Sequence, residues 1–282
     1  MGERSELGVV PGVAGGGVAA GVVPGAAGGG VAGGGPVAGD VAGGPAEPEP
    51  TAWELTTAGA AAGEDLVGIG ADLEPGTILA AYRSGLFPMG LGEGGTPPIG
   101  WWSPDPRGVL LPGDLHLSRT ARRATRDLRV SVDEAFEEVV QGCADPARDG
   151  GWITPQIFSA YRELHALGWA HSVEVWRGAE LVGGVYGLAI GRLFAGESMF
   201  HRAPDASKKA LAGLVDVLSE DGEPWLLDVQ WQTPHLRSLG VRAVDRATYL
   251  ALVAARVHED LPGRWRGIPP GATHVRPGVR VE

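Results

Sequence analysis

Glycine and proline are concentrated at one end of this chain, and that asymmetry decides where a folded core can begin. Residues 1–50 hold 17 of the 47 glycines and six of the 22 prolines, with alanine and valine filling most of the rest. The stretch MGERSELGVVPGVAGGGVAAGVVPGAAGGGVAGGGPVAGD is apolar by composition, yet glycine recurs every few residues. Each glycine inside a helix costs about 1 kcal/mol relative to alanine, and a spanning helix needs about 20 predominantly apolar residues. Glu3, Arg4 and Glu6 also lack the basic balance that opens a secretory signal. The expectation is a disordered Gly/Ala/Pro-rich extension over 1–58, with ordered patterning setting in near Trp53.

Charge and cysteine content narrow the remainder. The net charge of −11 falls to −7 once the five acids and one base of residues 1–50 are set aside, leaving 29 acidic against 22 basic residues. Nucleic acid contact, if any, must then use a local patch. A single cysteine, Cys143, excludes an internal disulfide, a CxxC pair and a thiolate zinc cage, which suits a reducing cytoplasm. The seven histidines include no HExxH, so no metal is expected.

Beyond the extension, LVGIGADLEPGTILAAYRSGLFPMGL (66–91) predicts a strand, a turn and a helix, with Pro75 in the first helical turn and Gly85 closing it. WWSPDPR (101–107), with Pro104 and Pro106 two apart, predicts a rigid loop presenting Trp101, Trp102 and Arg107. Ser118 caps a helix bearing Arg119, Arg122, Arg123 and Arg126, spaced so that the guanidinium groups share one side. Helices are predicted at 133–143 and 155–167, then a meander of strands at 171–176, 180–190 and 192–200. A helix opened by Asp205 and Ser207, a strand at 225–231, a short helix at 234–239 and a last helix near 246–258 complete the series.

Two acids and an amide stand out. Asp228 and Gln230 lie two apart on a predicted strand, so simple alternation puts both side chains on one face. Glu197, in GESMF, shares a face with Met199 by the same rule. A carboxylate can orient an ammonium group, and an amide can donate to an oxyanion or relay a proton. Ser198 lacks the flanking pattern of a nucleophile elbow.

DLEPGTILAAYRSGLFPM, WWSPDPRGVL, HLSR, WITPQIFSAYRELHALGWAHSVEVW, LVGGVYGLAIGRLFAGESMFHRAPDASKKAL and LDVQWQTPHLRSLG together resemble the bacterial leucyl/phenylalanyl-tRNA–protein transferase family over roughly residues 60–255. Two departures are visible: Met89 stands where the family often has Trp, and Val241 where Ala is frequent. The resemblance implies transfer of Leu or Phe, with Met a further donor, from aminoacyl-tRNA to the α-amine of proteins with N-terminal Lys or Arg. The product then feeds N-degron proteolysis in the cytoplasm. It implies no cofactor, no membrane and a monomer, with Leu-tRNA, Phe-tRNA and the acceptor proteins as partners.

Carried over position by position, the resemblance makes Asp228, Gln230 and Glu197 catalytic. It places Phe194, Met199, Leu211, Leu214 and Leu227 around the aminoacyl side chain, although periodicity alone makes such residues ordinary core. Stacking worth about 1–3 kcal/mol per base holds single-stranded ends, and Trp102 and Trp152 are the candidates for the tRNA 3′ adenosine. Arg119, Arg122, Arg123 and Arg126 become the phosphate contact.

The order of strands and helices matches an α+β fold: a small N-terminal domain (59–114), a GNAT-like acyltransferase domain (115–260) and an irregular tail (261–282). Two other functions fit that architecture, a GNAT-type N-acetyltransferase using acetyl-CoA and a non-catalytic tRNA-binding module. The nearest coenzyme A loop, Arg237-Ser-Leu-Gly240-Val-Arg242, fails at its last position and follows a helix instead of opening one.

Overall fold

The computed structural model describes residues 44–148 and 151–266, with the backbone of Val23–Pro24. Most of the expected extension, and residues 267–282 of the expected tail, lie outside the described residues. The part of the extension that is described is not a free leader. After β1 (Val23–Pro24), β2 (Trp53–Glu54) pairs with it antiparallel. The Ala46 amide donates to the Leu167 carbonyl, and the Trp169 indole donates to the Ala46 carbonyl, both at 2.8 Å. Arg83 pairs with Glu47, Thr51 bonds Thr77, and Trp53 donates to Asp72 at 2.7 Å. The short polar and aromatic side chains of 44–58 thus find partners on the body, which glycine and alanine alone would not supply.

A small sheet comes next. β3 (Leu66–Ile69), α1 (Pro75–Arg83), β4 (Phe87–Gly90) and β5 (Ile99–Trp102) fold together, with strand order β3-β5-β4. Pro75 sits in the first turn of α1, and Gly85 at φ +80° lets the chain reverse beyond it. WWSPDPR is not one loop. Trp101 and Trp102 belong to β5, and Arg107 opens β6 (Arg107–Leu110). Both prolines fall in the four residues between the strands, where no ladder hydrogen bond is asked of them. All three side chains expected on display are buried.

β6 joins the large sheet although the sequence division counts it with the small domain. α2 (Arg119–Ala124), β7 (Arg129–Val132), α3 (Phe136–Cys143), α4 (Pro155–Ala166), β8 (Ala170–Arg177), β9 (Glu180–Ile190) and β10 (Leu193–His201) follow. Then come α5 (Ala206–Leu218), β11 (Leu226–Gln230), α6 (Pro234–Ser238), β12 (Arg242–Val244), α7 (Arg246–Ala254) and α8 (Gly263–Arg266). Side-chain oxygens of Ser118, Thr154, Thr233 and Asp245 cap α2, α4, α6 and α7.

The seven strands run in the order β12-β6-β11-β10-β9-β8-β7, all neighbours antiparallel except β10 and β11. α3 and α4 share one hydrophobic cluster with the small sheet, and α5 shares another with Val173, Val185, Phe194 and Leu227. The described start of the tail is ordered too: Trp265 of α8 is buried and stacks on Phe194 at 5.3 Å. Among the described residues no helix is long and apolar enough to cross a membrane.

Candidate active site

β10 and β11 pair in parallel only from Leu193↔Leu226 to Ala195↔Asp228. Just past that point both strands are irregular. β10 shifts register against β9 between Gly196 and Ser198, and β11 shifts against β6 between Asp228 and Gln230. A bulge re-aims side chains and breaks the two-residue alternation, and in β10 it does so visibly. Glu197 meets Tyr82, beside Tyr161, on the α1 and α4 side, whereas Met199 packs in the α5 cluster. The shared face expected for Glu197 and Met199 is therefore lost. In β11 Val229 packs in the α5 cluster, while Asp228 and Gln230 both lie toward the Phe87 and Glu197 side; Gln230 holds a left-handed φ of +57°.

Asp228 is fully buried and saturated with donors. Arg107 Nε and Nη2 reach its two oxygens at 2.8 and 2.7 Å, the Tyr249 hydroxyl donates to Oδ2 at 2.8 Å, and the Gln230 amide N–H donates to Oδ1 at 2.9 Å. Arg107 is itself held between the Phe87 and Tyr249 rings, with its Nη1 on the Gly85 carbonyl at 3.3 Å. Burial pulls the guanidinium toward neutrality, but the Asp228 charge outweighs it and the net shift is upward. Nothing remains of Asp228 for a substrate ammonium. Its carboxylate fixes the bulge and, through it, the backbone of Gln230.

Gln230 and Glu197 are the polar residues at the cleft wall. They line a small cleft with Phe87, Pro88, Met89, Trp152 and Trp231. The Gln230 Nε2 is buried with no hydrogen-bond partner among the described residues. Glu197 accepts a 2.6 Å bond from the Tyr82 hydroxyl. Burial pushes its carboxyl up from 4.5 to about 7; bonds from Tyr82 and Tyr161 act in the opposite direction. Trp231 forms the joint between the domains, edge-on to Phe87 at 5.2 Å and donating to Asp65 at 2.9 Å.

The other expected site residues divide. Trp152 lines the cleft, but Trp102 is buried in β5 with its indole on the Met89 carbonyl. It has no face to offer a base. Phe194, Met199, Leu211, Leu214 and Leu227 are packed core between the large sheet and α5, and none lines the cleft. Arg119, Arg122, Arg123 and Arg126 are all exposed, although α2 ends at Ala124 and Arg126 lies in the turn beyond it. Nothing in the sequence marks Tyr249, Tyr82 and Tyr161, or the pairing of Arg107 with Asp228, as parts of the site. Their partners lie 21 to 121 residues away, and no local pattern marks such contacts.

The cleft offers a carboxyl that titrates near neutrality, a spare amide donor and aromatic walls, and no Ser, Cys, Lys or His among its lining residues. Fold and site define an α+β protein whose candidate active site sets a carboxyl and an amide side by side in an aromatic-walled cleft. The leucyl/phenylalanyl-tRNA protein transferase family matches residues 109–254, and the N-terminal domain of that family matches residues 71–105. A leucyl/phenylalanyl-tRNA–protein transferase of Stutzerimonas stutzeri (strain A1501) is 50% identical over 205 residues, spanning 71% of this chain and 89% of the relative. Those of Shewanella baltica (strain OS195) and Syntrophobacter fumaroxidans are each 46% identical, over 71% and 72% of this chain and 85% and 88% of the relatives. The chain belongs to the leucyl/phenylalanyl-tRNA–protein transferase family, and it is an aminoacyltransferase.

Proposed function

We propose that the chain moves Leu or Phe, and Met, from aminoacyl-tRNA to the α-amine of proteins beginning with Lys or Arg, feeding N-degron proteolysis in the cytoplasm. It works as a monomer with a GNAT-like core; the separating parallel strands β10 and β11, joined through α5, support that architecture. The observation that carries the reading is the unpartnered Gln230 amide facing the same cleft as Glu197, in a member of this family.

Ester-to-amide transfer runs downhill, so the site has to supply alignment, a neutral amine and a donor for the developing oxyanion. The Gln230 Nε2 is that donor. Glu197 holds the incoming ammonium, and with a pKa of about 7 it is matched to accept a proton from an amine whose own pKa is near 8. Asp228 acts through Gln230 and does not touch the substrate. Trp152 stacks on the terminal adenine, and the apolar walls around Phe87, Met89 and Trp231 suit a Leu or Phe side chain. Arg119, Arg122, Arg123 and Arg126 take acceptor-stem phosphates.

Acetyl-CoA chemistry is less well served, because Arg237 is turned onto Gln232 in α6 instead of opening a helix at the cleft. The test is transfer from radiolabelled Leu-tRNA, Phe-tRNA or Val-tRNA to peptides with N-terminal Arg, Lys or Ala. Transfer from the first two to Arg and Lys peptides is expected. Equal labelling of all acceptors, or none from Leu-tRNA, would sink the reading.

A further inference from the structure

Three buried hydroxyls from three different elements surround Glu197: Tyr82 on α1, Tyr161 on α4 and Tyr186 on β9. The Tyr82 hydroxyl donates to Glu197 Oε1 at 2.6 Å, so its single proton is committed there. The Tyr161 hydroxyl lies 2.7 Å from that of Tyr82 and also bonds Glu197. The result is a buried cluster in which both phenols bond the Glu197 carboxyl and touch each other, so that each polarises its neighbours.

Phenylalanine would fill the same space without the cost of burying a hydroxyl. The cluster also spans the two domains, since Tyr82 belongs to the helix beside the small sheet while Tyr161 and Glu197 belong to the large one. Both phenols are held well above their ordinary pKa, by burial first and then by the Glu197 charge, so they remain donors.

We propose that Tyr82 and Tyr161 are positioning residues for the transfer reaction, holding the Glu197 carboxyl at the cleft wall and favouring its ionised form. The proposal rests on the transferase reading of the cleft. The charged and titratable groups facing Glu197 are Tyr82, Tyr161, Tyr186, Asp228 and Arg107. Asp228 and Arg107 are tied to each other, which leaves the tyrosine cluster as the set of groups free to bias the carboxyl.

The experiment uses the full chain and two readouts. The pH dependence of kcat/KM for Leu transfer to an Arg-initiated peptide is measured for the parent, Tyr82→Phe and Tyr161→Phe. In parallel, the Glu197 carboxyl is titrated by carbon-13 NMR and assigned with Glu197→Gln. A hydrogen bond to a charged group corresponds to about one to two pH units. The acidic limb and the NMR midpoint are expected to move up by at least about one unit in Tyr82→Phe, and upward in Tyr161→Phe as well. An unmoved midpoint in Tyr82→Phe overturns the proposal, even if activity falls. If the parent itself transfers no Leu, the transferase reading fails, and the NMR midpoint still decides whether the tyrosines set the state of Glu197.

Discussion

Arg107 and Asp228 meet through two parallel hydrogen bonds of 2.8 and 2.7 Å, with neither side chain exposed to solvent. Such a pair is weak evidence for stability as a whole, but breaking it leaves one uncompensated buried charge, at about 3–5 kcal/mol. Asp228→Ala and Arg107→Ala are each expected to lose stability on that scale in denaturant unfolding, as well as turnover. Replacing both, as Arg107→Met with Asp228→Leu, should recover most of the stability and none of the transfer. A double variant no more stable than the singles would show that the pair is not coupled as drawn.

Gln230 is a non-glycine residue at φ +57°, a conformation that costs roughly 1–2 kcal/mol for an L side chain. Its neighbour on β6, Gly108, already leaves room at the bulge. Gln230→Gly should therefore melt at the same temperature as the parent or higher, while kcat falls about 10²–10³-fold through loss of the oxyanion donor. Gln230→Ala keeps the strain and loses the donor, so it should be equally slow without the gain in stability. Full activity in either variant would remove the amide from the mechanism.

The Glu197 carboxyl carries a pH signature in stability. Its folded pKa, raised from 4.5 to about 7, means that the native state binds this proton more tightly than the unfolded chain. The stabilisation is complete below about pH 4.5 and is lost as pH rises through 7, amounting to about 3 kcal/mol across that window. Glu197→Gln, permanently neutral, should match the parent near pH 4.5 and exceed it at pH 8. Urea unfolding at the two pH values measures the gap, and a constant difference would mean that Glu197 titrates in its ordinary range.

Periodicity was a good guide wherever a residue's neighbours in sequence decide its face. α3, α4, α5 and the strands β8 to β10 come close to their expected spans, because amphipathic spacing and short turns encode them locally. The site itself was legible in residue identity and only partly in direction. Glu197, Asp228 and Gln230 stand out by residue type, but the bulge in β10 reverses the alternation that would set Glu197 beside Met199. Arg107 was misplaced for a related reason. Two prolines four residues or fewer from it suggested a loop, and its real partner lies 121 residues later. Trp102 reads as a stacking platform from sequence because exposure of an aromatic ring depends on what packs against its face, here Trp231 edge-on at 6.1 Å, from 129 residues further along the chain.

The segment from Pro45 to Trp53 makes the two halves of the expected extension separable by experiment. Its hydrogen bonds join Leu167 and Trp169 of the large domain to Thr77, Asp72 and Arg83 around α1. That places a strap across the same domain junction that brings Tyr82 to Glu197. Removing residues 1–43 takes away none of these bonds. Removing 1–58 takes them all and leaves the Trp169 indole without its acceptor, at a cost of about 3 kcal/mol if each of the better-buried bonds contributes about 1 kcal/mol. Calorimetry should then show the shorter truncation melting with the parent and the longer one roughly 5–10 °C lower, with transfer reduced in parallel. Equal melting of the two truncations would make the strap incidental to the fold.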